Sequence, residues 1–274
     1  MPKLPIGKYF SDIVDYLQSA WKPFFTGIRT FIEAIIDSFK FILDVFPFWV
    51  IAIAIGVIAF KRSGKGMALF SLVSILLIES LGLWSATVST LALIFTATLI
   101  ALVIGIPLGI LSAKFDTLNK ILRPVLDFMQ TMPAFVYLIP SVLFFRIGAV
   151  PAVISTIIFA MPPAIRLTNL GIRQVPADLV EAGESFGSIW HQMLFKIQLP
   201  LAMPTIMAGI NQCIMLSLSM VVIASMIGAG GLGEIVLTGV QTLNVGMGFE
   251  GGLAVVIIAI ILDRLTQGKS RKNN

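Results

Sequence analysis

Three glycines in IGAGGLGE, residues 227–234, have a spacing that can do chemistry: Gly228, Gly230 and Gly233 fit the G-x-G-x-x-G pattern that cradles a dinucleotide pyrophosphate. The pattern works only where a strand feeds a helix, so that backbone N–H groups and the helix N-terminus face the phosphates. Other residues invite the same question. Glu181, Glu184 and the only histidine, His191, lie close together in sequence, as an acid–base or metal site would require. Glu79 is a carboxylate within an apolar run, and Cys213 is a lone thiol. No serine, cysteine or lysine stands in a recognisable nucleophile–base arrangement, and no glycine-rich loop ends in the lysine of a phosphate loop. What these residues do depends on the elements that hold them.

Composition decides the class of those elements. Of 274 residues, 57% are hydrophobic and 12% charged, against about 25% charged in a soluble domain. Ser80 to Ala113, Ile197 to Gly233 and Ile235 to Phe249 carry no charge at all. Such runs suit membrane-spanning helices, which need about 20 apolar residues each. The alternating pattern of a membrane barrel is absent, so an all-α polytopic membrane protein is expected. Cys213 has no partner for a disulfide, and its apolar setting suggests a buried, inert thiol. The first long apolar run begins near residue 41, after mixed charges, so no cleavable signal peptide is expected. The net charge of +5 is spread in small groups flanking apolar runs, which argues against nucleic acid.

About seven spans are expected, near 41–60, 67–84, 86–112, 130–146, 149–166, 203–227 and 248–265. Pro140, Pro151, Pro162 and Pro163 are expected to break the fourth and fifth, because proline removes a ladder hydrogen bond. Segments 61–66, 113–124, 166–200 and the C-terminal tail hold thirteen of the nineteen lysines and arginines. The positive-inside rule makes that side cytoplasmic, with the N-terminus outside and the C-terminus inside. Residues 1–40 read as an amphipathic interfacial segment, 41–84 as two accessory transmembrane helices, 85–265 as the core and 266–274 as a basic tail. In the first segment Ile13, Leu17, Trp21, Phe24, Ile28, Phe31, Ile35 and Phe39 recur at helical spacing, with a break expected near Pro23.

The longest polar interruption, residues 166–200, is long for a simple connection. Pro176 is expected in the first turn of a helix, with Asp178 and Glu181 near its positive end. Ala182 and Gly183 present little side chain, Gly187 allows a sharp turn, and Phe186 and Trp190 supply apolar anchors. A short helix with a small-residue tip suits docking into a groove of another protein.

Here the residues meet a resemblance. Glu181-Ala182-Gly183, Gly187, and Ile197-x-Leu199-Pro200 match EAA-x3-G-x9-I-x-LP, the loop signature of membrane subunits of binding-protein-dependent ABC importers. Gly183 stands where alanine is usual, which keeps the position small. The stretch from about 84 to 265 resembles the permeases of the glycine betaine/proline betaine (quaternary amine) family. GIPLGILSAK (105–114), QTMPAFVYLIP (130–140), FAMPPAIRLTNLGIRQVP (159–176) and IASMIGAGGLGEIV (223–236) carry that likeness.

The resemblance implies a type I ABC importer permease fold and a bacterial cell (inner) membrane location. It implies a homodimer of this chain, two cytoplasmic ATPase subunits that hold ATP and magnesium, and a separate extracellular substrate-binding protein. This chain would hold no cofactor and no metal, and would be no enzyme by itself. The coupling loop would comprise Glu181, Ala182, Gly183, Ser185, Phe186, Gly187, Ile197, Leu199 and Pro200. Gly228, Gly230, Gly231 and Gly233 would then shape the external mouth rather than a nucleotide site, since Leu253 stands twenty residues on, where a ribose-binding acid is wanted. Ser217, Ser219, Asn211 and Gln212 line the path or bond between helices, and Arg146 is expected to pair with Glu234 or Glu250. Glu79, close to Trp84, is expected at the outer interface. An ion-coupled secondary transporter, or an importer of another small solute such as the amino acid methionine, are the competing readings.

Overall fold

The computed structural model describes residue 14 and residues 16–267; residues 1–13, Ile13 of the amphipathic stripe among them, residue 15, and 268–274 of the basic tail lie outside them. The described residues form helices α1 (Lys22–Val45), α2 (Phe48–Ser63), α3 (Lys65–Ser80), α4 (Trp84–Lys114), α5 (Asp116–Thr131) and α6 (Ala134–Phe145). Then follow α7 (Ala149–Arg173), α8 (Ala177–Ser185), α9 (Trp190–Ile227), α10 (Leu232–Gln241) and α11 (Val245–Thr266). Among the described residues no strand is present.

Four helices, α4, α7, α9 and α11, are long and apolar enough to cross a membrane unbroken. Two bent pairs, α1 with α2 at 97° and α5 with α6 at 100°, raise the number to six if each is one span. The chain thus breaks at Pro47 and Pro133, each of which precedes a new helix. Pro140, Pro162 and Pro163, expected as breaks, lie inside continuous helices. A proline breaks the chain here where the preceding residue is extended, as Phe46 and Met132 are. The expected span at 41–60 therefore starts at Phe48, and α1 runs on to Val45.

α7 is the centre of the bundle, and small residues let its neighbours reach its backbone. A Cβ on Gly109 of α4 would stand 2.6 Å from Thr168 Cβ and 2.8 Å from the Ile165 carbonyl oxygen. On the other side of α7, one on Gly209 of α9 would stand 3.2 Å from the Pro163 carbonyl oxygen. Lipid offers no hydrophobic drive for helix association, so close approach through glycine substitutes for it. Among the described residues Thr98 and Thr168 keep buried hydroxyls without a partner, while three other threonines of this apolar core are satisfied within their own helices. Thr87, Thr96 and Thr156 donate to carbonyls four residues back, at 2.9, 2.7 and 2.7 Å.

α2 and α3 form a hairpin turning at Gly64 (φ +93°), packed on α11 through Arg62 Nη1 donating to the Leu265 carbonyl at 2.9 Å. α1 packs mainly against α4, with smaller contacts to α6 and α7. Its packed side is Phe25, Ile28, Ile32, Ile36 and Phe39, which differs from the expected stripe: Trp21, Phe24 and Phe31 are exposed. The helix break falls at Trp21, just before Pro23.

Candidate functional site: a docking loop and a glycine-rich turn

The polar stretch 166–200 is mostly helical. α7 continues to Arg173 and is tied to the end of α4 there. Asn169 Nδ2 donates to Ser112 Oγ at 2.8 Å, and Arg173 Nη2 donates to the Ser112 carbonyl at 3.0 Å and to Asp116 Oδ1 at 2.6 Å. The guanidinium holds the exposed Asp116 carboxyl below its ordinary range, by hydrogen bonding first and charge second. Two helical turns earlier on α7, Arg166 pairs with Asp127 at 2.5 Å. α8 therefore hangs from a firmly held stem.

Pro176 is the N-cap of α8, with extended ψ of 130°, rather than a residue of its first turn. Asp178 sits in that turn and complements the helix dipole. The helix ends in a Schellman motif: Ser188 N–H bonds to the Gly183 carbonyl at 3.0 Å and Gly187 N–H to the Glu184 carbonyl at 2.8 Å. Gly187 takes φ +74°, the conformation that position demands, with no atom near where a Cβ would stand. The chain then re-enters a helix at Trp190, passes through a π-helical turn, Met193–Gln198, and continues without interruption to Ile227. Pro200 sits just past that turn, and the wider turn accommodates a residue that cannot donate to the ladder.

This geometry explains the spacing of the loop residues. Met193 and Ile197, four apart, lie over Gly183: a Cβ there would be 2.7 Å from Met193 Cε and 2.8 Å from Ile197 Cδ1. The smallness of position 183 thus serves packing within this chain, and Gly183 is buried. Its neighbours Glu181, Ala182, Ser185 and Phe186 face outward. The expectation that Phe186 anchors the loop is corrected: it is 92% exposed and projects from the helix end. Met193 and Leu194, both buried, are the anchors. Trp190 instead receives Lys114 Nζ at 3.8 Å from its ring centroid and packs edge-on against His191. Leu199 is half-buried at the start of the α-helical segment. Leu179 and Ile189 are further exposed apolar residues of this stretch, and sequence reasoning passed over them. The spacing of Leu179, Ala182 and Phe186 on one helix face could have revealed the first.

The glycine-rich turn lies at the other end of the bundle and is made differently. Gly228, Gly230 and Gly231 take φ of +75°, +80° and +80°. Leu232 N–H donates to Thr90 Oγ1 at 2.8 Å, and Gly148 N–H to the Ile227 carbonyl at 3.1 Å. A Cβ on Gly231 would stand 2.4 Å from Thr90 Oγ1, and one on Gly233 2.7 Å from Ser225 Oγ. The turn follows a helix rather than a strand, and Leu232 N–H, which a phosphate cradle would need, is bound to Thr90. A dinucleotide site is therefore not built here.

The remaining candidates are distributed as follows. Asn211 donates to Asp263 Oδ1 at 3.2 Å and accepts from Thr266, so it bonds between α9 and α11. Ser217 is buried and Ser219 exposed, its hydroxyl donating to the Met215 carbonyl at 3.1 Å. Cys213 is buried. Glu79 is half-buried in the last turn of α3, close to Gly82 and Trp84 in sequence. Among the described residues Arg146 pairs with neither Glu234 nor Glu250, and no cluster of three metal-ligating side chains exists.

An all-helical bundle of broken and unbroken spans, carrying a short exposed helix on a stem at one end, defines a membrane transport component. Residues 105–268 match the family described as binding-protein-dependent transport system inner membrane component, and the chain belongs to it. It is 53% identical over 268 residues to the glycine betaine/proline betaine transport system permease protein ProW of Escherichia coli, covering 98% of this chain and 76% of that one. It is 49% identical to the glycine betaine transport system permease protein OpuAB of Bacillus subtilis, covering 100% and 99%. The glycine betaine/carnitine transport permease protein GbuB of Listeria monocytogenes is 52% identical, covering 99% and 98%. A solved structure of the MetNI methionine ABC transporter in an inward facing conformation aligns with a TM-score of 0.57 and 21% identity, covering 64% of this chain and 88% of that one. At that identity the likeness shows the fold. This chain is thus a non-catalytic permease subunit of an ABC importer, whose system supplies an ATPase and a substrate-binding protein.

Proposed function

We propose that this chain forms the translocation path for glycine betaine or a related compatible solute, as a homodimer joined to two cytoplasmic ATPase subunits and served by a separate extracellular binding protein. The observation that carries this reading is near-half identity, along nearly the whole chain, to three permeases whose names specify glycine betaine. The α8 loop supports the coupling role. Its exposed face of Ala182, Ser185 and Phe186 suits a groove in an ATPase, and its stem transmits force into α7 and α9. ATP and magnesium belong to that ATPase. The loop end is then cytoplasmic, in keeping with its lysines and arginines, and Gly228, Gly230, Gly231 and Gly233 shape the external mouth.

A quaternary ammonium is held best by an aromatic cage. That cage belongs on the binding protein, so that the path itself releases its cargo. The test is reconstitution in vesicles with the ATPase and the binding protein, each omitted in turn. Uptake of betaine is expected only with both partners and ATP. Betaine uptake driven by a sodium or proton gradient without ATP overturns the proposal.

A further inference from the structure

We propose that α1 and the end of α6 form a binding site for one anionic phospholipid in the leaflet at the glycine-rich end of the bundle. Both ends of α1 meet that end. Phe25 stacks on Phe144 at 4.8 Å between centroids, and Phe48, just past the bend after α1, lies 6.5 Å from Trp84. The 97° bend at Pro47 sets α1 nearly perpendicular to α2, and Phe39 of α1 lies 5.8 Å from Phe95 of α4. A helix so placed, with one side against the protein, lies where headgroups meet acyl chains.

The side of α1 next to α6 bounds a cavity of about 420 Å³, within the range of small-ligand sites. Lys22 and Arg29 enter it from α1 and Arg146 from the end of α6, against a single carboxylate, Glu33. Glu33 is taken up by Arg29 at 2.8 Å, and among the described residues no carboxylate pairs with Lys22 or Arg146. Arg146 is held at φ +66°, a conformation non-glycine residues rarely adopt. Thr30 adds a hydroxyl to its lining, while the Thr26 hydroxyl donates to the Lys22 carbonyl at 2.9 Å. A phosphodiester satisfies this donor together with the two cations left without a carboxylate among the described residues.

What selects a lipid over a soluble anion is the surface beside the cavity. Lys22, Thr26 and Thr30 also border an open, mainly apolar face of α1 that runs past Pro23, Gly27 and Phe31 to Ala34. A charged pocket thus adjoins an exposed apolar helix face, on which Phe31 is 61% exposed. The matching ligand has an anionic head and a hydrocarbon tail. A headgroup in the pocket would bridge α1 to α6, one residue from the Ile147 side chain that touches Gly228.

The test uses the permease with its ATPase partner, purified from nanodiscs containing phosphatidylcholine with or without phosphatidylglycerol. Retained lipid is counted by native mass spectrometry. Retention of phosphatidylglycerol over phosphatidylcholine is expected, lowered about fivefold by Lys22→Gln and by Arg146→Gln, the worth of one basic residue near an anionic lipid. Phe31→Ser is expected to lower retention without removing the preference for phosphatidylglycerol. Equal retention of both lipids, or retention unchanged in Lys22→Gln, overturns the proposal. So does displacement of the bound species by glycerol phosphate, which identifies a soluble anion. Should Arg146→Gln fold poorly, Lys22→Gln on the exposed side of α1 decides the matter.

Discussion

Glycine shapes both ends of this bundle, for opposite physical reasons. At the α8 loop Gly187 is needed for its backbone alone: φ is +74°, and open space surrounds the place of its Cβ. At the glycine-rich turn, Gly231 is needed for backbone and volume together, since φ is +80° and Thr90 leaves no room for a methyl group. The loop end is bound by ion pairs and a capped helix and leaves Phe186 exposed. The turn end is bound by close packing and buried hydrogen bonds. The loop end keeps its apolar residue outside, as a docking element would, while the turn end keeps its backbone inside.

The largest expected effect falls on the packed end. Gly231→Ala combines a left-handed backbone with overpacking, a loss on the order of 3 kcal/mol. It should lower the thermal transition of the purified permease, and an unchanged transition would contradict the close contact with Thr90. Next comes Gly187→Val, expected to lose about 1–2 kcal/mol locally and to uncouple ATP hydrolysis from uptake. Phe186→Ala should reduce coupling at unchanged stability, because the ring buries nothing in this chain. Normal coupling in both variants would remove the docking role from α8.

Smaller effects sharpen the contrast at the stem. Because Arg173 lowers the pKa of Asp116, that pair contributes above the ordinary carboxylate range and fades only as pH falls through the depressed value. The difference in thermal transition between Asp116→Asn and the parent should therefore hold from pH 8 to 5 (about neutral to mildly acid) and close only in stronger acid. A difference that vanished by pH 6 would mean that another group governs it. Smallest of all is Gly183→Ala. The gain in helix propensity, about 1 kcal/mol, offsets the shift required of the flexible ends of Met193 and Ile197. Stability and transport should both stay near those of the parent. Loss of transport would show that position 183 touches the partner after all.

Much of the fold class was legible because lipid imposes it: uncharged runs must be helical, and their lengths are set by bilayer thickness. The backbone of the 181–200 loop was legible as a spacing, since Gly187 and the Ile197–Pro200 stretch each answer a local backbone demand. The breaks were not. Four prolines, Pro140, Pro151, Pro162 and Pro163, were expected to break spans, yet the chain bends at Pro47 and Pro133 and continues as helix through Pro140, Pro162 and Pro163. Whether a freed carbonyl is tolerated depends on the neighbouring helices, which no local rule contains.

Sequence by itself determined that the chain is a helical membrane protein with an importer-type loop, because composition and spacing act over a few turns of helix. Tertiary structure alone decided the direction each residue faces. It put Gly183 inward and Phe186, three residues on at the C-cap of α8, outward, because the π-helical turn lays Met193 and Ile197 over one side of that helix. It also turned a dinucleotide-like glycine pattern into a packed corner, because Thr90, more than a hundred residues away, claims the N–H that a phosphate would have needed.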